Sequence, residues 1–225
     1  MNQINASIRD VPLPAAMSRL KISDKGYPVP WFALWMDDEG KPAEYGRGVP
    51  DLRVVDTRKV ALAVKNRLCW VCGGMLGRHL AFVIGPMCGI TRVSSEPPSH
   101  RACAEYATRA CPFLVRPRMV RNDKVPKPAG TFVVEGHHDH NPGMALIWMT
   151  QNFSTLRKGG DGSLFRLGRA DEIEWFREGR SATRQEATRA MDDGMLLLFK
   201  EHTRDDEREQ LRRGYERLIS KVPLL

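Results

Sequence analysis

The chain has 225 residues, of which 42% are apolar and 28% charged, and this composition is sufficient for a hydrophobic core. Its apolar runs fall short of the ~18 residues that a membrane span needs, and no basic region followed by an apolar stretch opens the chain. We therefore expect a cytoplasmic protein, neither secreted nor embedded in a membrane. The net charge of +8 favours a polyanionic partner.

The positive charge is unevenly distributed along the chain. Residues 171–225 hold 11 Lys/Arg and 13 Asp/Glu, whereas residues 1–170 hold 24 and 14. A basic front part and a near-neutral tail indicate a partner such as nucleic acid. High solubility alone would also account for the charge, so the composition leaves both interpretations open.

The first elements are predicted from apolar runs and their spacing. Residues 1–29 contain three prolines and no apolar periodicity, and we expect a flexible N-terminal arm. The apolar runs at 31–36 and 52–55 predict two strands. A helix is predicted over 58–67, because apolar side chains recur there at four-residue spacing.

The middle of the chain continues this α+β pattern. Residues 80–84 predict a buried strand, followed by a Gly-Pro turn. A helix is predicted to begin near Pro98 and to end near Cys111, because Pro112 cannot continue it. Residues 30–115 are thus the predicted core, and residues 116–130 form a basic, proline-rich connector.

Residues 131–225 are predicted to form a β-hairpin unit closed by C-terminal helices, and the sequence also allows one continuous domain with the core. Strands are predicted at 131–135, 145–150 and 164–167, the last as a hairpin partner after a glycine-rich turn. Three helices are predicted to follow, and the first covers 171–178. The second is capped by Ser181 and has an apolar stripe of Ala187, Met191, Met195 and Leu198. The third covers 204–221.

All five cysteines lie between residues 69 and 111, and an odd number in so short a segment indicates a metal site more than a disulfide framework. Cys69 and Cys72 form a C-x2-C pair that two glycines follow. His100 and Cys103 lie at i and i+3 in the opening turn of the predicted helix, so their side chains share a face. Thiolates and imidazoles are zinc ligands, and these four residues predict a structural Zn²⁺ in a treble-clef-like arrangement.

The other two cysteines are less suited to this site. Cys111 lies eight residues after Cys103, about 12 Å along a helix, so one ion cannot hold both and Cys111 is expected to be a buried thiol. Cys88 is the alternative to His100 as a ligand, although the spacing to Cys103 favours His100. A redox pair is the competing interpretation of the C-x2-C motif, but such a motif follows a strand and opens a helix, whereas this one follows a helix.

Five segments combine into a recognisable pattern: Cys-Trp-Val-Cys-Gly at 69–73, Ala-Phe-Val-Ile-Gly-Pro-Met-Cys at 81–88, Ser-Glu-Pro-Pro-Ser-His-Arg-Ala-Cys-Ala at 95–104, Ala-Cys-Pro-Phe-Leu at 110–114 and Gly-Tyr-Pro-Val-Pro-Trp-Phe at 26–32. In them the chain resembles an uncharacterised family of cysteine-rich, zinc-finger-like proteins of actinobacteria, other high-GC bacteria and their phages. The resemblance covers residues 25–200. It implies a bacterial or phage intracellular origin and brings no activity with it.

The leading functional hypothesis is a zinc-stabilised, nucleic-acid-associated accessory protein that binds mainly through phosphate contacts. From residue 101 to residue 127 there are seven basic residues against two acidic ones. Such side chains position a protein on nucleic acid without reading its sequence. The predicted phosphate contacts are Arg101, Arg109, Arg116, Arg118, Arg121, Lys124 and Lys127.

Two other hypotheses come from different classes. The first is a protein-interaction module, for example a phage factor acting on a host protein, in which the helical tail and exposed aromatics such as Trp175 carry the contact. The second is a metal-dependent nuclease that uses His137, His138 and His140 as ligands or bases. The sequence has no phosphate-binding loop, nucleophile elbow or dinucleotide fingerprint, which favours a non-enzymatic role.

Overall fold

The structure is a computed structural model that describes residues 3–116, 143–157 and 163–222. It confirms a mixed α and β fold. The strands are β1 (Ala33–Met36), β2 (Pro42–Ala43), β3 (Val49–Val55), β4 (Leu80–Ile84), β5 (Val93–Ser94), β6 (Ala145–Thr150), β7 (Phe153–Arg157), β8 (Ser163–Leu167), β9 (Glu172–Arg177) and β10 (Arg180–Ser181). The helices are α1 (Arg58–Asn66), α2 (Pro86–Thr91), α3 (Arg101–Ala110), α4 (Pro112–Val115), α5 (Arg184–Glu201) and α6 (Asp205–Ile219).

The largest sheet has the order β10-β9-β6-β4, and its neighbouring strands are antiparallel. Its β6 is buried along its whole length, as the apolar run predicts for a central strand. Side chains alternate between its faces: Ala81 and Ile147 pack with Ala104 of α3 on one face. Phe82 and Leu146 belong to the main hydrophobic core on the other.

The described residues also form two smaller sheets, with the orders β2-β1-β3 and β5-β8-β7. The hairpin predicted around residues 164–167 is confirmed, because β8 pairs antiparallel with β7. The glycine-rich turn of that hairpin and the predicted strand at 131–135 lie outside the described residues. Phe153 of β7 contacts Phe82 of β4 edge to face at 5.5 Å, so the regions before and after the connector share one core.

The composition of the N-terminal segment predicts a flexible arm, but in the structure this segment packs against the rest of the chain. Ile8, Met17 and Leu20 are buried in the main core. The backbone N–H of Asn5 donates to the carbonyl of Gly26 at 2.9 Å, which closes the segment on itself. Single apolar residues separated by prolines give no periodic signal, although tertiary contacts hold them in place.

The predicted helix over 171–178 is wrong, because these residues form β9, which pairs with β6. Their sequence alternates Glu-Ile-Glu-Trp, which is a strand pattern with Trp175 in the core. Gly179 does not end a helix but lies in a tight hairpin turn, where Glu178 and Gly179 have φ of 51° and 79°. Ser181 is part of β10, and Thr183 caps α5 through a capping box with Glu186.

Two C-terminal helices are present as predicted, and α5 buries most of its predicted apolar stripe. Ala187, Met191 and Leu198 of α5 are buried in the main core, and so is Leu218 of α6. Gly214 lets α6 approach α2 closely, because a Cβ there would lie 2.3 Å from the carbonyl oxygen of Ile90. None of the helices in the described part of the chain has the length and apolar character needed to cross a membrane.

Helix α1 is anchored by a buried lysine. Lys59 is 7% exposed, and its Nζ donates to the carbonyls of Trp31 and Ala33 at 2.7 and 2.9 Å. The same Nζ lies 3.5 Å from a carboxylate oxygen of Asp56, which also accepts from Arg58. These contacts fix α1 against β1, and α1 leads directly into the first cysteine of the predicted metal site.

Candidate metal centre

The first two cysteines lie on a tight hairpin between residues 67 and 76. The backbone N–H of Cys69 donates to Gly74 at 2.7 Å, and that of Leu76 donates to Arg67 at 2.7 Å. Gly73 has φ of 70°, and a Cβ there would lie 2.7 Å from the ring of Trp31. Glycine is therefore required at this position for its backbone angle and for space.

Backbone hydrogen bonds bring the second pair of ligands to this hairpin. The N–H of Trp70 donates to the carbonyl of Pro98 at 3.0 Å. Ser99 exchanges two hydrogen bonds with Ala81 of β4, at 2.7 and 2.9 Å. His100 is the N-cap of α3 and Cys103 lies in its first turn, so the predicted spacing on one face is confirmed, although the helix begins at residue 101 and not near Pro98.

The four predicted ligands come together. One ligand atom from each of Cys69, Cys72, His100 and Cys103 lies within 4.8 Å of the others. The Nδ1 of His100 is 3.4 Å from the Sγ of Cys72 and 3.8 Å from the Sγ of Cys103. A tetrahedral ion with metal–sulfur and metal–nitrogen bonds of about 2.3 and 2.0 Å requires S···N separations of about 3.6 Å. The cluster therefore has the dimensions of a tetrahedral site and could hold a metal ion.

Hydrogen bonds around the cluster prepare these atoms to act as ligands. The Nε2–H of His100 donates to the carbonyl of Met75 at 2.9 Å, which leaves the lone pair of Nδ1 directed at the sulfurs. Three backbone N–H groups donate to sulfur: Cys72 and His100 to Cys69 at 3.5 and 3.3 Å, and Gly74 to Cys72 at 3.4 Å. Such donors stabilise thiolates, which are the form of cysteine that binds metal.

Burial adds to the need for a counter-charge at this site. The side chains of Cys69 and Cys103 are fully buried. Hydrogen bonds from the Cys103 and Cys72 thiols hold the pKa of Cys69 well below its usual range, and donation to Cys69 raises the pKa of Cys103. One thiolate is thus stabilised at the expense of its neighbours, so a cation is needed before all three sulfurs can ionise together.

The remaining cysteines lie outside this cluster. Cys88 belongs to α2, and burial raises the pKa of its thiol to about 11. It is therefore a neutral thiol away from the centre, and the fourth member of the cluster is His100, the residue that the spacing favours. Cys111 is the residue between α3 and α4 and is partly buried.

Three of the seven predicted phosphate contacts, Arg101, Arg109 and Arg116, lie among the described residues. Arg101 is engaged with carboxylates, because it donates to Glu105 and Glu172 at 2.9 and 2.6 Å and also to Glu174. It is therefore neutralised locally and is a poor phosphate ligand. Arg109 is exposed and lies 5.6 Å from the ring centre of Phe176. Arg116 is the first residue of the predicted connector and the last one described before residue 143.

Several predicted site residues fall outside the described residues, and the structure places none of them. These are Arg118, Arg121, Lys124, Lys127, His137, His138 and His140. Trp175 is predicted from the sequence to be exposed and to contact a partner protein. This prediction is wrong, because Trp175 is 3% exposed and belongs to the core.

Sequence reasoning missed two features that support the centre. The Met75 carbonyl is a backbone atom, and no residue type signals its role. Trp70, which lies between the two cysteines in the chain, is buried, and its ring stacks on Phe32 at 5.1 Å. Its place inside the C-x2-C motif is the signal that could have been used, since so large an apolar side chain is expected to pack against a neighbouring segment.

Comparison with known proteins adds no family to this description. No protein-family model, curated protein or solved structure significantly matches the chain. The centre is therefore interpreted from its own geometry: four nitrogen and sulfur atoms at tetrahedral spacing, with the ring of His100 oriented by the Met75 carbonyl.

Proposed function

We propose that Cys69, Cys72, His100 and Cys103 bind a structural Zn²⁺. Three sulfurs and one imidazole nitrogen are a typical zinc donor set, and the oriented Nδ1 supports this assignment. The order of a cysteine hairpin, a strand and a helix whose first turn carries two ligands is that of a treble-clef-like finger. All four ligands come from the protein, so no coordination position remains to activate water, and the ion stabilises the fold.

We further propose that the protein is a nucleic-acid-associated accessory protein of bacterial or phage origin. The supporting observation is the net charge of +8, which is concentrated before residue 171. Arg109, Arg116, Arg118, Arg121, Lys124 and Lys127 are the proposed phosphate contacts. Arg101 is left out of this set, because three carboxylates already surround it.

Binding to nucleic acid should weaken steeply with salt and show little dependence on sequence. Each phosphate contact contributes about −0.9 to the slope of log K against log salt on duplex DNA. Replacing Arg118, Arg121 and Lys124 together by glutamine should make that slope shallower by about 3, as measured by fluorescence anisotropy with labelled oligonucleotides.

A matched control is available at the C-terminus. Arg204, Arg212 and Arg213 lie within 4 Å of glutamates or aspartates, so the triple glutamine variant removes the same formal charge from guanidiniums that are already paired. Equal losses in the two triple variants would indicate only a general charge effect. Affinity that is independent of salt, or no affinity at all, would contradict the proposed function.

A protein-interaction module is the second candidate, and one observation favours it. Leu196 and Leu197 are consecutive residues of α5 and are 64% and 41% exposed. Exposed leucines in adjacent positions are typical of contact surfaces. Affinity capture from a host lysate, treated with nuclease, would recover a stoichiometric protein if this candidate is correct and would recover none if nucleic acid is the partner.

The nuclease hypothesis remains a proposal for residues that the structure does not describe. It would need His137, His138 and His140 to hold a second metal, because the Cys/His cluster has no open position. Plasmid cleavage that requires added divalent metal, and that is lost when the three histidines become alanine, would establish it.

A further inference from the structure

Three arginines from separate elements converge at the end of α2. Arg92 is the C-cap of this helix and has φ of 56°. Arg166 of β8 is the pairing partner of Val93, the next residue along the chain. Arg217 lies on α6, one turn after Gly214, whose backbone packs against the carbonyl of Ile90. We call these three residues the arginine cluster.

The cluster forms no ion pair with a carboxylate in the described part of the chain. No carboxylate there lies within 4.0 Å of any of the three guanidiniums, whereas most other arginines on α3, β10 and α6 have one. Burial lowers the pKa of Arg92, and the charges of Arg217 and Arg166 lower it further. Both charges therefore repel that of Arg92, and an anion beside Arg92 would reduce that repulsion.

Arg92 is held in place by both its backbone and its side chain. The N–H of Leu167 donates to the Arg92 carbonyl at 2.9 Å, and Nη2 of Arg92 donates to the Leu167 carbonyl at 2.5 Å. Its Nε is buried without a partner. An unsatisfied donor and a left-handed backbone both cost free energy, and such costs are concentrated at binding sites.

We propose that the arginine cluster binds a phosphate group. A guanidinium matches two phosphate oxygens with two parallel N–H groups, and it keeps its charge at any physiological pH. Arg92 supplies a fixed group from the helix end, and the exposed Arg166 and Arg217 supply groups from β8 and α6. The site contains none of the residues to which the proposed function assigns phosphate contacts. The phosphate belongs either to a nucleic-acid backbone or to free inorganic phosphate.

The test compares two double variants of the full chain. Arg166→Gln/Arg217→Gln removes two members of the cluster and leaves the anchored Arg92 in place. Arg212→Gln/Arg213→Gln removes the same charge from α6, where both guanidiniums already lie within 4 Å of Glu209. Matching melting curves would show that both variants fold.

The first measurement is oligonucleotide affinity across a salt series. Loss of two phosphate contacts should make the slope of log K against log salt shallower by about 1.8. Between about 50 and about 200 mM salt, the wild type should then lose about tenfold more affinity than the cluster variant. The control should keep the wild-type slope.

The second measurement is the melting temperature in inorganic phosphate against chloride of equal ionic strength. A rise in the wild type that the cluster variant lacks, with no oligonucleotide effect, identifies free phosphate as the ligand. If oligonucleotides do not bind at all, the proposed function fails and the phosphate arm alone decides the inference. Equal behaviour of the two double variants in both measurements would overturn the proposed phosphate site, even if the wild type binds nucleic acid.

Discussion

Replacing Cys103 by alanine should abolish the folded state at ordinary temperatures, and a strong chelator should do the same to the wild type. Apparent free energies of binding at structural zinc sites are about 10–16 kcal/mol, and domains are stable by only about 5–15 kcal/mol. Cys103 is fully buried, so its loss also leaves two thiols and an imidazole crowded without a fourth ligand. Circular dichroism melts with and without chelator, together with elemental analysis, would measure the effect.

The matched control is Cys88→Ala, because Cys88 is a cysteine of the same core that lies outside the cluster. It should keep one zinc per chain and melt within a few degrees of the wild type, since it loses only one partly buried sulfur. A wild-type melt that is indifferent to chelator, or a purified protein without zinc, would contradict the assignment.

Replacing Lys59 by alanine should lower the free energy of unfolding by about 3 kcal/mol. Breaking a buried ion pair from one side costs about 3–5 kcal/mol, and Arg58 continues to pair with Asp56 in the variant. The variant also leaves the carbonyls of Trp31 and Ala33 without their donor. Urea denaturation at saturating zinc would measure this effect separately from metal loss.

The charge of Asp56 predicts how that difference depends on pH. Burial acts to raise the pKa of Asp56, but the hydrogen bond from Arg58 and the charge of Lys59 outweigh it, so the pKa lies below its usual range. The stabilisation is therefore present above about pH 4 and is lost as the pH falls through the folded-state pKa. Lys65→Ala, an exposed change on the same helix, should have little effect at any pH; a loss equal to that of Lys59→Ala would contradict the buried-pair explanation.

The metal cluster could be predicted because its signals are local. Cys69 and Cys72 belong to one hairpin, and His100 and Cys103 to one helical turn, so spacing alone places each pair. Helix α1 was predictable because its apolar residues recur at four-residue spacing, and strands β4 and β6 because each is a short, continuous apolar run.

The features that sequence reasoning missed depend on neighbours that are distant in the chain. The alternation in β9 extends over only four residues, and it is the pairing with β6 that makes this segment a strand. Arg101 looks like a free cation until Glu172 and Glu174, on that same strand, are placed around it. The wrong secondary structure for β9 thus concealed the carboxylates that neutralise a predicted phosphate contact.

The position of β6 determines how the chain can be divided. Its partners are β4, which precedes the connector, and β9, which follows it. A fragment ending at residue 116 would expose the β6-facing side of β4, a strand without charge or proline whose open edge invites pairing with other copies. We expect this fragment to aggregate even when loaded with zinc, and a monomeric fragment in light scattering would disprove that. Strands from before and after the connector pair in one sheet, so cutting the connector would not release two independent folding units.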